Sequence, residues 1–111
     1  MKILLVDDDQ AVADSISGFL GRHGHSVSMA GGVDRALRMF RRDEYAVVLS
    51  DMRMPGQNGL DLLARIKEQS PGTAVIIMTG FGTVQNAIDA VRAGAADYLE
   101  KPIDLDKLLL A

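Results

Sequence analysis

Three consecutive acids, Asp7, Asp8 and Asp9, end the first apolar run of the chain, and a lone acid, Asp51, ends another. Crowded carboxylates repel unless a cation stands between them. Mg²⁺ fits such a place, because it takes one or two carboxylates together with water and phosphate oxygens, and Mn²⁺ accepts the same donors. Asp51 is then a candidate nucleophile, since carboxylates attack phosphorus and form acyl phosphates. The backbone carbonyl of Arg53 could supply one more oxygen to the metal. Thr79-Gly80 and Lys101-Pro102 close two further apolar runs. The Thr79 hydroxyl could donate to a phosphoryl oxygen, and Gly80 would leave the approach open. Lys101 offers a fixed positive charge, the main protein contribution to phosphoryl transfer. Pro102 permits a cis peptide bond that would aim Lys101. Each piece also has an ordinary reading. Asp9 reads best as a helix cap, Thr79-Gly80 could be a turn, and Lys101 could be solvated.

These clusters form one site only if four strands end side by side. Ile3–Val6, Ala46–Leu49 and Ala74–Met78 are continuously apolar, as strands covered by helices on both faces are. Val27–Ala30 and Ala96–Leu99 are weaker and are expected nearer the edges. Between the runs the period becomes helical. Val12, Ile16, Phe19 and Leu20 form one stripe, ended by His23-Gly24. Val33, Ala36, Leu37 and Phe40 form a second. Leu62, Leu63 and Ile66 form a third, closed by Ser70-Pro71-Gly72. Val84, Ala87, Ile88 and Val91 form a fourth, with Gly94 just past its end. Asp104 can cap a fifth helix bearing Leu105, Leu108 and Leu109. Met52–Gly56 reads as a loop, with Asn58 as the next cap.

Five βα units with right-handed crossovers give an α/β fold with a doubly wound, five-stranded parallel sheet. The expected order is 2-1-3-4-5, flavodoxin-like, with the switch point between strands 1 and 3. Strands 1, 3, 4 and 5 then adjoin, and Asp51 lies across the switch point from Asp7 and Asp8. Strand 2 ends in Ala30-Gly31-Gly32, which carries no side-chain chemistry.

The 111 residues suit one domain, and 48% hydrophobic content supports a core. The net charge of -3 disfavours direct nucleic-acid contact. There are no cysteines, so disulfides and thiolate metal sites are excluded. No run approaches the roughly 20 apolar residues of a membrane span, and Ile3–Val6 is too short for a signal peptide. A soluble cytoplasmic domain is expected.

Val6–Asp8, Ser50–Gly56, Thr79-Gly80 and Asp97–Pro102, in this order and spacing, resemble the motifs of receiver domains of two-component response regulators. The resemblance covers essentially residues 1–111 and implies a CheY-like receiver domain. It implies that Asp51 accepts a phosphoryl group from a sensor histidine kinase. It further implies that Asp8, Asp51 and the Arg53 carbonyl bind Mg²⁺ (or Mn²⁺) directly, with Asp7 acting through water. Thr79 and Tyr98 would be the switch pair, and Lys101 the phosphate contact. The surface of the fourth helix, strand 5 and the fifth helix would respond, with homodimerisation on phosphorylation as one outcome. The stretch from Thr79 to Tyr98 resembles receivers of enhancer-binding transcription activators. Such receivers precede a C-terminal effector domain, and their fifth helix runs beyond the position of Ala111, so a truncated fifth helix is expected here.

Three rivals share parts of the pattern. An aspartate-nucleophile phosphatase resembling the haloacid dehalogenase superfamily uses similar acids, but Ala11 departs from its motif and no cap domain fits. A flavodoxin-like FMN binder would find its phosphate repelled by three acids. A receiver-like module without phosphorylation would not need the acids, Thr79 and Lys101 together. The domain is therefore expected to be regulatory and not a turnover enzyme. His23 and His25 are not expected at the site. Arg35, Arg38 and Arg42 read as a solvated helix face, and Met29, Met39 and Met78 as core filler.

Overall fold

The apolar runs pair as a five-stranded parallel sheet in the computed structural model, which describes residues 1–54, 57–79 and 84–100. The chain runs β1 (Lys2–Val6), α1 (Gln10–Arg22), β2 (Ser26–Ala30), α2 (Val33–Arg42) and β3 (Val47–Asp51). It continues through the two-residue strands β4 (Arg53–Met54) and β5 (Gln57–Asn58) to α3 (Gly59–Gln69). β6 (Ala74–Thr79), α4 (Val84–Arg92) and β7 (Asp97–Glu100) follow. The sheet order is β2-β1-β3-β6-β7 and every pairing in it is parallel, which is the expected 2-1-3-4-5 arrangement.

Strand alternation sends side chains to two cores. Leu4, Val6, Val48, Val75 and Ile77 pack with Leu37, Leu62, Leu63, Ile66 and Ala90, the helical side chains of α2, α3 and α4. Ile3, Leu5, Leu49, Ile76 and Met78 pack with Ala13, Ile16 and Leu20 of α1. Each fully buried aliphatic side chain contributes about 1.5–3 kcal/mol. The three central strands are therefore the rigid frame from which the site projects. The helix stop expected at Gly94 holds: Gly94 has φ +100°, a conformation that disfavours other residues.

Four details differ from the sequence expectations. β3 and β6 run on to Asp51 and Thr79, so the two polar residues are the last of their strands and not the first of the loops. The expected loop after Met52 carries an antiparallel pair, Arg53 with Asn58 and Met54 with Gln57. Each strand of the pair has 2 residues, too few for period-2 alternation to register. Two residues of the stripe on α4, Ile88 and Val91, are turned outward. Ile88 and Val91 are 39% and 64% exposed, while Ala90 is fully buried. The small Ala90 side chain lets the helix sit close to the sheet, and that choice fixes the inward face. Finally, Met29 is exposed and not core filler, because it lies on the outermost strand. The fifth helix expected from Asp104 falls outside the described residues.

The stability consequence is direct. Leu63→Ala should cost about 2–5 kcal/mol in urea melts, whereas Val91→Ser should change stability by no more than about 0.5 kcal/mol. A large loss for Val91→Ser would contradict the outward turn of Val91.

Candidate functional site

The carboxyl end of β1 is built to deliver its acids separately. The Asp7 amide donates to the Ala30 carbonyl at 3.1 Å, holding the chain against β2 for one residue past the strand. The Asp7 carboxylate then accepts the Asp9 amide at 2.9 Å, a local turn that swings the chain into α1. Asp9 caps that helix, as expected, by accepting the amides of Ala11 at 3.1 Å and Val12 at 3.3 Å. Asp9 is thereby committed to the helix. Asp7 is buried and Asp8 exposed.

Across the switch point, the β1–β3 register ends at the Val6–Ser50 pair, so Asp51 stands one residue beyond it. Asp7, Asp8 and Asp51 each present a carboxylate oxygen, and these oxygens lie within 4.8 Å of one another. Two unit charges about 5 Å apart repel by roughly 3 kcal/mol at an effective dielectric of about 20. Water reaching Asp8 lowers that figure, but Asp51 is only 8% exposed and Asp7 4%. Three hard oxygen donors, with no thiol or imidazole among them, suit a small divalent cation such as Mg²⁺. The donor set fits the ion that the sequence pattern implies.

Thr79 ends β6, one residue beyond the register partner of Asp51, and is 1% exposed. Tyr98 pairs with Ile77 and packs against the same core, so it shares a sheet face with Thr79 one diagonal step back. The Tyr98 hydroxyl is buried and has no hydrogen-bond partner among the described residues. Arg53 opens β4, two residues past Asp51. Lys101 and Pro102 lie outside the described residues. His23 and His25 are elsewhere: His23 Nδ1 contacts the Phe19 carbonyl at 3.0 Å, and His25 Nδ1 lies 3.4 Å from the chain's amino terminus.

The structure adds two residues at the site that the sequence did not single out for a role. The fully buried Ser50 hydroxyl donates to the carbonyl of Asp51 at 3.0 Å. The Gly59 amide donates to the Met52 carbonyl at 2.8 Å, and the Met52 amide to the Met78 carbonyl at 2.7 Å. A serine in an otherwise apolar strand end was the available signal for Ser50. For Gly59 the signal was a glycine directly after the expected Asn58 cap, at the start of the third helix.

Residues 3–111 match the response regulator receiver domain model. The chain belongs to that family. Response regulator protein FleR of Pseudomonas aeruginosa is 40% identical over 108 residues, which cover 97% of this chain and 23% of FleR. Transcriptional regulatory protein FixJ of Bradyrhizobium diazoefficiens is 39% identical over 106 residues, 96% of this chain and 52% of FixJ. The receiver thus spans a quarter to a half of these curated relatives. A response regulator receiver domain protein from Clostridium thermocellum has a TM-score of 0.92 at 39% identity, covering 98% of this chain and 88% of that one. The match favours the receiver reading over the phosphatase and flavin-binding ones. Among the described residues, no helix is long and apolar enough to cross a membrane.

The acids should separate experimentally. Asp9→Ala should lower stability by about 1 kcal/mol through loss of the cap and leave Mg²⁺ affinity near wild type. Asp8→Asn should do the reverse. Urea melts and Mg²⁺ titrations of both variants test this, and equal losses of affinity would contradict the division of roles.

Proposed function

We propose that this receiver is a Mg²⁺-dependent phosphoacceptor switch in which Asp51 takes a phosphoryl group from the phosphohistidine of a sensor kinase. The observation that carries this reading is the meeting of the Asp7, Asp8 and Asp51 carboxylates within 4.8 Å at the switch point of a receiver fold. An Asp51 carboxylate oxygen attacks phosphorus, the P–O bond forms, and the P–N bond to the donor imidazole breaks. Asp8, Asp51 and the Arg53 carbonyl would hold Mg²⁺ (or Mn²⁺) directly, and Asp7 through water. The bound ion would offset the charge of the incoming phosphoryl oxygens. The Thr79 hydroxyl donates to one of those oxygens. Lys101 would pair with another, aimed by a cis bond before Pro102. The complete acid set speaks against a module that is never phosphorylated. The protein assists the gain and loss of its own phosphoryl group but transforms no separate substrate.

The signal leaves through Thr79 and Tyr98. Thr79 moves toward the phosphoryl group, and Tyr98, whose hydroxyl has no partner among the described residues, repacks on the same sheet face. A local charge thereby biases a two-state element. The responding surface comprises α4, β7 and the segment after it. The exposed Ile88 and Val91 support a partner face there. An effector domain C-terminal to this chain, or a second phosphorylated copy, would read it. The relatives' names, response regulators and transcriptional regulators, support a cytoplasmic signalling role. The acidic receiver itself would not contact nucleic acid.

With Mg²⁺ and acetyl phosphate, intact-protein mass spectrometry should show one acid-labile phosphoryl group on the wild type and none on Asp51→Asn. Thr79→Ala should still be labelled, but the amide shifts of Tyr98 and α4 should respond far less to beryllofluoride than in the wild type. Equal labelling of wild type and Asp51→Asn would remove the phosphoacceptor assignment. Equal shifts in wild type and Thr79→Ala would remove the relay.

A further inference from the structure

We propose that Gly59 and Ser50 are positioning residues for Asp51, Ser50 by its hydrogen bond to the Asp51 carbonyl and Gly59 by letting α3 pack closely on that carbonyl, and that together they fix where the carboxylate points. This inference rests on the phosphoacceptor reading of Asp51. A Cβ built on Gly59 would stand 2.4 Å from the Asp51 carbonyl oxygen, 3.1 Å from Met52 Cα and 3.2 Å from the Asp51 carbonyl carbon. All three neighbours are backbone, so no flexible side chain can yield. Ordinary contact begins at 3.4 Å, about 1 Å farther out than the first of these. By contrast, Gly21, Gly31 and Gly72 have nothing within 4 Å of the same position. Nor does φ require glycine here, because Gly59 is not among the positive-φ residues. The requirement is space: the first turn of α3 lies directly on the peptide group of the phosphoacceptor.

Hydrogen bonds lock this approach. Gly59 donates to Met52, and Met52 donates to Met78 on β6, so helix, bend and neighbouring strand are joined at one point. The β1 register ends at Ser50, leaving Asp51 with a strand partner only on β6. At this strand end the Ser50 hydroxyl bonds to the Asp51 carbonyl. With that carbonyl held, the Cα–Cβ direction of Asp51 is set toward Asp7 and Asp8, and the path into Arg53 is set as well. Reacting groups tolerate little displacement, and about 1 Å can cost roughly 100-fold in rate.

Labelling by acetyl phosphate and Mg²⁺ titration of wild type, Gly59→Ala, Ser50→Ala and Leu37→Ala test the grip. Leu37 is a buried α2 residue outside the site, so its truncation reports stability loss alone. With folding verified by circular dichroism at low temperature, Gly59→Ala should be labelled roughly 100-fold more slowly. Ser50→Ala, lacking one hydrogen bond, should be slowed by up to about tenfold. Both should bind Mg²⁺ more weakly, whereas Leu37→Ala should match the wild type in rate and affinity. If Gly59→Ala does not fold, Ser50→Ala decides. Wild-type rates in the folded variants, or an equal slowing in Leu37→Ala, would overturn the inference. If the wild type accepts no phosphoryl group, the phosphoacceptor reading fails, and the grip stands or falls on Mg²⁺ affinity alone.

Discussion

Like charges forced together are the constraint on which this structure turns. Asp7, Asp8 and Asp51 bring carboxylate oxygens within 4.8 Å, an arrangement their own interactions oppose. The opposition is borne by the central strands, whose side chains are almost wholly buried on both faces. Because β1 and β3 are adjacent and parallel, their carboxyl ends open on the same crevice. Because α1 and α3 pack on opposite faces of the sheet, that crevice opens between them. The site is thus a by-product of sheet order, paid for in core burial. The charge it concentrates suits a small hard cation.

Backbone contacts refine what topology only approximates. The turn at Asp7, the cap at Asp9 and the junction of Met52 with Gly59 and Met78 use main-chain groups at strand and helix ends. These groups need partners anyway. Here the partners they find also orient the acids. The same economy separates two roles within one acidic run: Asp9 secures α1, while Asp7 and Asp8 remain with Asp51.

The elements that were legible in the sequence are those governed by periodicity. Ile3–Val6 and Ala74–Met78 are apolar without interruption and became central strands, and the acids following Val6 met Asp51 as the strand order required. What escaped was decided by three-dimensional approach. The Asp51 carbonyl lies against Gly59, a contact that no local pattern encodes. The outward turn of Ile88 and Val91 followed from close packing at Ala90, although the stripe itself was visible. An apolar stripe shows that a face seeks a partner, but not whether that partner is the core or another protein.

The dependence on a cation is open to one direct measurement, thermal unfolding of the wild type across a Mg²⁺ series with ionic strength held constant by Na⁺. A ligand bound only by the folded state stabilises it by RT ln(1 + [L]/Kd), about 2.7 kcal/mol at a hundredfold excess over Kd. If the carboxylates repel as their spacing implies, the melting temperature should climb with Mg²⁺ well beyond the Na⁺ control. The gain should shrink in Asp8→Asn, whose metal-free form should itself melt no lower than the wild type. A melting temperature indifferent to Mg²⁺, or raised equally by Na⁺, would contradict the claim that the crowded carboxylates form a cation site.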